Sequence, residues 1–177
     1  MGDYLKLVKA ARRGDIQAFA ELYGEVYEDM YRFALYTLRN TQDAEDVVSE
    51  TVTAAFASIR KLRSAEAFRS WIFRILSNKC KDQLREYAGR TLSFEEQKEH
   101  APEGAAGLFS AAPQSDMEEY ILVRKLFFEL EDEERLIIAM HVFQGYKSRE
   151  IAEMLQMNEN TVRSKESRAL KKMAGKL

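Results

Sequence analysis

The chain has 177 residues, 46% of them hydrophobic and 32% charged, and its formal net charge at pH 7 is −2. This is the composition of a folded protein, and the length allows one ordinary domain or two small ones. The single cysteine, Cys80, excludes an internal disulfide. Because the sequence has no run of signal-peptide type and no stretch near the roughly 18 apolar residues of a membrane span, we expect a cytoplasmic protein.

Charge is segregated along the chain. Residues 21–50 contain 2 basic and 8 acidic residues, whereas residues 59–90 contain 9 basic and 3 acidic ones. Residues 91–135 are again acidic, with 4 basic and 12 acidic residues. Residues 146–177 are basic, with 8 basic and 4 acidic residues. Basic segments suit the phosphates of a nucleic acid, whereas acidic segments need a different partner or only solvent.

The first half of the chain is predicted to form one small helical domain, residues 1–88. Apolar residues recur there with helical spacing, and no alternating strand pattern of useful length is present. Asp15 and Thr41 are the predicted N-caps of the second and third helices. The helices are expected near residues 3–12, 15–39, 42–62 and 67–88.

The third predicted helix has an acidic face. Asp43, Asp46 and Glu50 share one side of this helix, because their spacing is close to a whole number of helical turns. The opposite side is apolar and is formed by Val48, Val52, Ala55, Phe56 and Ile59. An acidic face cannot bind DNA, so this one is either a surface for a basic protein partner or a solvated helix face.

The fourth predicted helix carries a polar stripe beside an aromatic residue. Trp71 projects near this stripe, and aromatic rings beside Arg and Asn side chains can stack on and hold unpaired bases. The alternative is that Trp71 is a core residue and that the charges are solvated. The stripe is formed by Arg74, Asn78, Lys81 and Arg85, the buried side by Ile72, Phe73, Leu76, Cys80 and Leu84, and a basic loop before the helix by Arg60, Lys61 and Arg63.

Residues 89–115 are predicted to be a flexible linker. They contain both prolines, Pro102 and Pro113, and the stretch from His100 to Ser115 is mostly Ala, Gly, Pro and Ser. So long a loop is improbable inside one compact domain, which indicates a second helical domain at residues 116–177. Helices are expected in this domain near residues 116–130, 132–145, 148–155 and 159–174.

The last two predicted helices form a helix-turn-helix. The shorter helix ends at a break over Gln156, Met157 and Asn158, and Asn158 is the predicted cap of a second helix that enters the major groove. Hydroxyls and cations on this helix suit base edges and phosphates, and the alternative is an ordinary helix with a solvated basic face. The polar face carries Thr161, Ser164, Lys165, Arg168 and Lys172, and the apolar face carries Val162, Ala169 and Met173 against Ile151 and Leu155.

The sequence offers no catalytic, metal or cofactor site. His100 and His141 lie apart, in the linker and in an apolar helix, and no residues are clustered at metal-ligand spacing. There is no glycine-rich phosphate loop and no nucleophile elbow. Cys80 falls on the predicted core face, which favours inert packing over a nucleophile. We therefore expect neither an enzyme nor a small-molecule substrate.

Taken together, these motifs resemble the extracytoplasmic-function sigma factors, the small two-domain branch of the sigma-70 family. The segment DAEDVVSET, from Asp43 to Thr51, is similar to the family segment that binds the clamp coiled coil of the largest RNA polymerase subunit. The segment FRSWI, from Phe68 to Ile72, begins a helix that looks like the family helix that melts and reads the promoter's −10 element on the non-template strand. The segments EIAEML (150–155) and TVRSKESRA (161–169) resemble the family's −35 reader. The resemblance covers residues 5–88 and 117–174.

The resemblance implies a protein that directs bacterial core RNA polymerase to promoter DNA, and an anti-sigma factor that holds it inactive, in some cases at the membrane. The implied polymerase contacts are Asp43, Asp46, Val47 and Glu50. The implied −10 contacts are Arg60, Lys61, Arg63, Trp71, Arg74, Asn78, Lys81 and Arg85. The implied −35 contacts are Arg149, Thr161, Arg163, Ser164, Lys165, Arg168 and Lys172.

Three positions depart from the family pattern. Gln156 stands where the family has glycine in the turn of the helix-turn-helix. Glu166 stands where the family's recognition helix has an apolar residue. Either the Glu166 side chain pairs with another polar group, or the helix is rotated from the predicted orientation. Glu131 and Asp132 replace a Leu-Pro pair, which suits a helix start because acidic side chains interact favourably with a helix N-terminus.

Two other functions are open from the residues alone. A stand-alone helix-turn-helix regulator would bind its operator tightly without polymerase, and it leaves the polar stripe of the fourth helix unexplained. An all-helical adaptor that binds only proteins would tolerate neutralisation of Arg168 and Lys172.

Overall fold

The computed structural model of the chain describes residues 2–89 and 117–176, and the regular secondary structure of these residues is helical. The predicted all-α fold is confirmed. The predicted linker lies outside the described residues, except for Gly89, which ends a helix. The N-terminal helices are α1 (Gly2–Arg12), α2 (Ile16–Leu38), α3 (Thr41–Ser58) and α4 (Phe68–Gly89), and the C-terminal helices are α5 (Met117–Phe128), α6 (Asp132–Val142), α7 (Ser148–Leu155) and α8 (Glu159–Ala174).

Side-chain caps set the starts of the N-terminal helices. Asp15 accepts a hydrogen bond from the amide of Ala18 at 3.0 Å, which confirms it as the N-cap of α2. The predicted cap at Thr41 is wrong, because Asn40 has the extended backbone of a cap and accepts from the amide of Asp43 at 3.0 Å. The third predicted helix was also too long: α3 ends at Ser58, and a 3-10 turn follows.

The N-terminal helices enclose an aromatic and aliphatic core around α2. Phe33 of α2 meets Phe73 of α4 edge to face, with ring centroids 6.0 Å apart. Each such fully buried side chain stabilises the fold by about 1.5–3 kcal/mol. Phe56 was predicted to be buried and is instead 45% exposed, packing edge to face on Phe19 at 5.1 Å. Phe56 lies near the end of α3, where α2 covers one side of its ring and leaves the other side exposed.

The C-terminal helices contain the predicted helix-turn-helix. Asn158 caps α8 by accepting from the amide of Asn160 at 2.8 Å, as expected. The predicted apolar seam between α7 and α8 is present, with Ile151, Val162 and Ala169 each 0% exposed. The seam fixes the crossing of the two helices and turns the remaining faces of α8 outward.

The two groups of helices pack against one another. Helix α2 contacts α6, and α4 contacts both α6 and α7. Tyr36 of α2 is 2% exposed because the rings of Phe127, Phe128 and Phe143 surround it. The buried side chains of both groups therefore form one continuous core cluster.

Candidate protein and nucleic-acid interfaces

The acidic face of α3 is bridged to α4 near both of its ends. Asp43 accepts a hydrogen bond from the hydroxyl of Tyr87. Glu50 accepts one from Nζ of Lys79 at 2.7 Å. Asp46, between these two bridges, is exposed. Asp43 and Glu50 are thus each engaged with a side chain of α4, whereas Asp46 faces solvent between them.

Val47 does not lie on the acidic face. Its side chain is 4% exposed, and its carbonyl oxygen accepts from the hydroxyl of Thr51 at 2.7 Å. A side chain in the core has no surface to offer a partner. Val47 is one of the four implied polymerase contacts, but it packs in the core and holds α3 in place.

A stripe of tyrosines lies on α2 near the acidic face. The rings of Tyr23 and Tyr27 have centroids 5.5 Å apart, and those of Tyr27 and Tyr31 are stacked at 6.2 Å. Burial, and then the negative charge of Glu45 on α3, raises the pKa of Tyr31. The sequence analysis missed these residues, although their four-residue spacing was the available signal. Tyrosine is enriched at protein–protein interfaces.

The polar stripe of α4 has two environments. Arg74 and Arg85 are exposed, and Asn78 is half-buried. Lys81 is covered by the C-terminal helices, and its Nζ donates to the carbonyl oxygen of Leu155 at 2.5 Å. The ends of the stripe are thus accessible, whereas its middle is occupied by α7.

Trp71 and the basic loop lie at the other end of α4. Trp71 is half-buried and packs at 6.1 Å on the ring of Phe68, so one part of the ring belongs to the core and another faces solvent. Arg60, Lys61 and Arg63 are all exposed around the 3-10 turn that packs on α1. The predicted −10 residues are therefore distributed between this loop and the stripe.

The cations on the polar face of α8 are of two kinds: some are exposed to solvent, and others pair with acidic side chains of α6. Thr161, Ser164 and Arg168 are exposed, as the predicted face requires. Lys165 is not: its side chain is 19% exposed, and Nζ lies 2.8 Å from a carboxylate oxygen of Glu133. Helical spacing identified the face correctly and could not identify this acidic partner on α6.

Lys172 is a counter-ion for a buried carboxylate. Its Nζ donates to Glu134 at 2.8 Å and to Glu131 at 3.4 Å. The side chain of Glu134 is 2% exposed. The hydrogen bond to Glu134 is the main cause of the raised pKa of Lys172. Neutralising a buried charge is a structural task, so Lys172 is less available to DNA than its place on the helix suggested.

The predicted arginines near the turn are exposed. Arg149 pairs with Glu153 at 3.5 Å within α7, and Arg163 pairs with Glu159 at 2.6 Å within α8. Exposed pairs of this kind contribute little to stability, so these guanidinium groups can leave their carboxylates at little cost. Beside Arg163 an open groove of about 560 Å³ runs along α8, and it is lined by Ser148, Arg163, Glu166, Ser167, Leu170, Lys171 and Ala174.

The two departures in the helix-turn-helix are accommodated without loss of the motif. Gln156 adopts the left-handed conformation, with φ 55°, that a glycine would adopt without strain. Glu166 is paired: it accepts from the hydroxyl of Ser148 at 3.0 Å and lies 3.4 Å from Nδ1 of His141. Of the two outcomes foreseen for Glu166, pairing is the one observed.

Two features of the described residues bear on other classes of function. No helix within residues 2–89 or 117–176 is long and apolar enough to cross a membrane. In the same residues, His, Cys, Asp and Glu side chains form no group of three or more that could hold a metal ion.

A helix-turn-helix with an exposed cationic face, joined to a helical unit with an acidic surface and a cationic stripe, defines a DNA-binding protein that also has a protein partner. Residues 22–90 match Sigma-70 region 2, and residues 121–173 match Sigma-70, region 4. The chain is 31% identical over 146 residues to RNA polymerase sigma factor SigV of Bacillus subtilis (strain 168), covering 82% of each chain.

Two further proteins are similar over almost the whole chain. ECF RNA polymerase sigma factor SigM of Mycobacterium tuberculosis is 28% identical over 170 residues, which are 96% of this chain and 82% of that one. The solved structure of CnrH in complex with the cytosolic domain of CnrY shares the fold, with a TM-score of 0.64, 22% identity and coverage of 97% and 94%. The chain belongs to the extracytoplasmic-function group of the sigma-70 family. It is an RNA polymerase sigma factor, and a stand-alone regulator is not favoured.

Proposed function

We propose that promoter recognition is divided between two domains, residues 1–88 and 116–177, joined by the linker at 89–115. The observation that carries this proposal is the distribution of side chains on the surface. Acidic and aromatic side chains lie on α2 and α3, whereas cationic side chains lie on α4 and α8. Acidic surfaces repel DNA and cationic ones attract it, so the two kinds of surface suit different partners. The protein acts as a specificity subunit, without catalytic chemistry, small-molecule substrate or cofactor of its own.

The acidic face of α3 docks on core RNA polymerase. Asp46 is exposed on this face, whereas Asp43 and Glu50 each form a hydrogen bond with a side chain of α4. Tyr27, 41% exposed, extends the surface with an amphipathic ring that tolerates both water and a partner. An acidic and aromatic surface is complementary to a basic helical element.

The −10 element is held by α4 and the loop before it. Arg74 and Arg85 attract the backbone of a single strand, and the exposed part of Trp71 offers a stacking surface. Stacking a base on an aromatic side chain is worth about 1–3 kcal/mol and needs no paired strand. The loop cations at Arg60, Lys61 and Arg63 then hold the phosphates upstream or downstream of the stacked base.

The −35 element is read by α8. Thr161, Ser164 and Arg168 face solvent on one side of the helix, where hydroxyl and guanidinium groups reach base edges in the major groove. Arg149 and Arg163 flank this face and reach phosphates. Of the remaining predicted contacts, Lys165 joins them on DNA after leaving Glu133, a half-exposed carboxylate, whereas Lys172 stays with the buried Glu134 and supports α8.

A protein antagonist acts on the same surfaces. The CnrH structure, determined with the cytosolic domain of CnrY, supports an anti-sigma partner for this chain. Such a partner covers charged surfaces that polymerase or DNA otherwise uses. Where the partner is attached to the membrane, the sigma factor is held there until release, and it acts in the cytoplasm with polymerase.

Co-elution with core polymerase tests the docking surface. The substitution Asp46→Lys reverses the charge at the centre of the acidic face, and we expect a loss of affinity of about 1–3 kcal/mol, equivalent to roughly five- to 150-fold. The matched control is Asp3→Lys on α1, where the carboxylate is 95% exposed and pairs with nearby Lys6 at 2.9 Å. Equal binding by both variants excludes the face of α3 as the docking surface.

A further inference from the structure

Glu166 of α8 is a carboxylate in an apolar seam. Val162 and Ala169, one turn before and one turn after it, are both 0% exposed, and the Glu166 side chain is 15% exposed. Charged side chains are rarely buried to this extent unless their oxygens have partners. The family pattern has an apolar residue at this position, so packing alone does not require a carboxylate here.

Each oxygen of this carboxylate has a neighbour on a different helix. The hydroxyl of Ser148, the first residue of α7, donates to Oε2 at 3.0 Å. Nδ1 of His141, in the last turn of α6, lies 3.4 Å from Oε1. The same Nδ1 lies 3.0 Å from the carbonyl oxygen of Tyr146. Because a carbonyl oxygen only accepts hydrogen bonds, Nδ1 carries a hydrogen and is a suitable neighbour for the carboxylate.

The connection between α6 and α7 fixes these two neighbours relative to one another. Gly145 has φ 70°, in the left-handed region that glycine adopts without strain, and its amide donates to the carbonyl oxygen of His141 at 3.0 Å. The amide of Tyr146 donates to the carbonyl oxygen of Met140 at 3.2 Å. The chain that leads to Ser148 therefore closes the end of α6 with two backbone hydrogen bonds, which satisfy carbonyls that the helix leaves unpaired.

Hydrogen bonds fix the rotation of a helix more tightly than apolar packing does. The attraction between apolar surfaces is non-directional, whereas a hydrogen bond weakens steeply outside a narrow range of distances and angles. Val162 and Ala169 keep α8 against α7, but such packing tolerates a small rotation of α8 about its own axis. The contacts of Glu166 with two other helices resist that rotation.

The residues on either side of Glu166 are proposed to contact the −35 element. Ser164 lies two positions before it, and Arg168 lies two positions after it. Side chains extend about 5–6 Å from a helix axis, so a rotation of about 20° moves a side-chain tip by roughly 2 Å. A displacement of that size breaks a hydrogen bond to a base edge, since such bonds span only about 2.7–3.2 Å. The rotation of α8 therefore decides which base edges these two side chains reach.

We propose that Glu166 is a positioning residue for base selection at −35: through its contacts with Ser148 and His141 it sets the rotation of α8, and thereby the bases that Ser164 and Arg168 prefer. This inference rests on the proposed −35 role of α8. It assigns a task to three side chains that are not among the proposed DNA contacts.

The first test compares base preference. Duplex promoters with a randomised −35 region are bound by core polymerase with the full chain, and the bound sequences are counted. Glu166→Leu supplies the apolar residue of the family pattern and removes both contacts, whereas Ser148→Ala removes one neighbour and keeps the carboxylate. We expect E166L to lower the preference for the favoured base by about fivefold or more at one or more −35 positions. We expect S148A to change the same positions in the same direction.

Further variants separate positioning from a general structural role. Glu166→Gln keeps an oxygen that can accept from Ser148, so we expect it to retain more of the wild-type preference than E166L does. Glu153→Leu introduces the same apolar side chain at an exposed site of α7 that pairs with Arg149 at 3.5 Å, and base preference should not change. The double variant E166L/S148A should show no more change than E166L, because both substitutions remove the same contact.

The second test follows α8 itself, in the full chain without polymerase or DNA. We expect E166L to shift the NMR amide resonances along α8 from Thr161 to Lys172, since the whole helix rotates. The control E153L should shift only the amides near residue 153. Changes in E166L that are confined to the residues next to position 166 overturn the positioning role.

These outcomes separate the two proposals. A changed −35 preference in E166L and S148A, with E153L unchanged, supports the positioning role. A wild-type preference that persists in folded E166L and S148A overturns it and leaves the −35 role of α8 in place. If the wild-type complex has no −35 preference while the resonance shifts still extend along α8, the proposed −35 role fails and the restraint on α8 by Glu166 stands.

Discussion

Lys172 of α8 donates a 2.8 Å hydrogen bond to Glu134 of α6, a carboxylate whose side chain is 2% exposed. The contact joins α8, the proposed −35 reader, to α6. An unpaired carboxylate at this depth is costly, because a buried charge loses its hydration without compensation.

We expect Lys172→Met to lower the melting temperature of the chain, because Glu134 is left without its nearest cation. The matched control is Lys171→Met, an exposed neighbour on the same helix, which should melt as the wild-type chain does. The double variant E134Q/K172M should recover most of the loss, since it removes the stranded charge. Equal melting temperatures for K172M and K171M contradict the structural role of Lys172.

Gln156 is strained at the turn of the helix-turn-helix. Its φ of 55° lies in the left-handed region, which disfavours residues with a Cβ. We expect Gln156→Gly to raise the free energy of unfolding by about 0.5–1 kcal/mol, as relief of strain exceeds the added flexibility of the unfolded chain. Gln156→Ala keeps the Cβ and should bring no gain. Urea unfolding of the three proteins decides the matter, and a stabilised Q156A or a destabilised Q156G contradicts the prediction.

The thiol of Cys80 is protected by the core of the N-terminal helices. Cys80 is 0% exposed, and burial raises the pKa of its thiol far above the usual range. The thiolate is the reactive form, so we expect no reaction with an aromatic disulfide reagent at pH 8 over minutes in the native chain. In denaturing urea the single thiol should react completely. Rapid reaction of the native chain would mean that α4 separates from its neighbours far more often than this packing allows.

Arg168 is an exposed cation in the middle of the polar face of α8, the proposed −35 reader. We expect Arg168→Ala to weaken binding of the polymerase complex to its −35 element by about 1–3 kcal/mol if the guanidinium contacts a base edge. The control is Lys125→Ala, an exposed cation on α5 away from this face. Fluorescence anisotropy over a series of salt concentrations measures both. A protein-binding adaptor would show no effect of R168A.

Local signals explain which parts of the fold were predictable. The bounds of α7 and α8 agree with the predicted residues 148–155 and 159–174, because a cap at Asn158 and a polar break mark them in the sequence. The end of α3 was misplaced because the 3-10 turn after Ser58 follows from packing on α1. The cap at Asn40 was missed by one residue, since Thr41 is also a common cap.

The sequence predicted which helix faces are polar, but it did not predict which side chains those faces contact. Helical spacing placed Lys165 on the face of α8, but its partner Glu133 lies 32 residues earlier in the chain. The bond from Arg135 to Thr37 joins residues 98 positions apart and leaves no local signal. Such long-range pairs arise from tertiary packing, which a single sequence pattern does not specify.

Run-off transcription measures whether the chain directs core RNA polymerase to promoters. Core RNA polymerase is incubated with a library of promoter fragments, with and without the protein, and the starts are sequenced. We expect protein-dependent starts downstream of a shared two-part motif, and the loss of these starts with Asp46→Lys but not with Asp3→Lys. The absence of protein-dependent starts, together with a failure to co-elute with core polymerase, would contradict it.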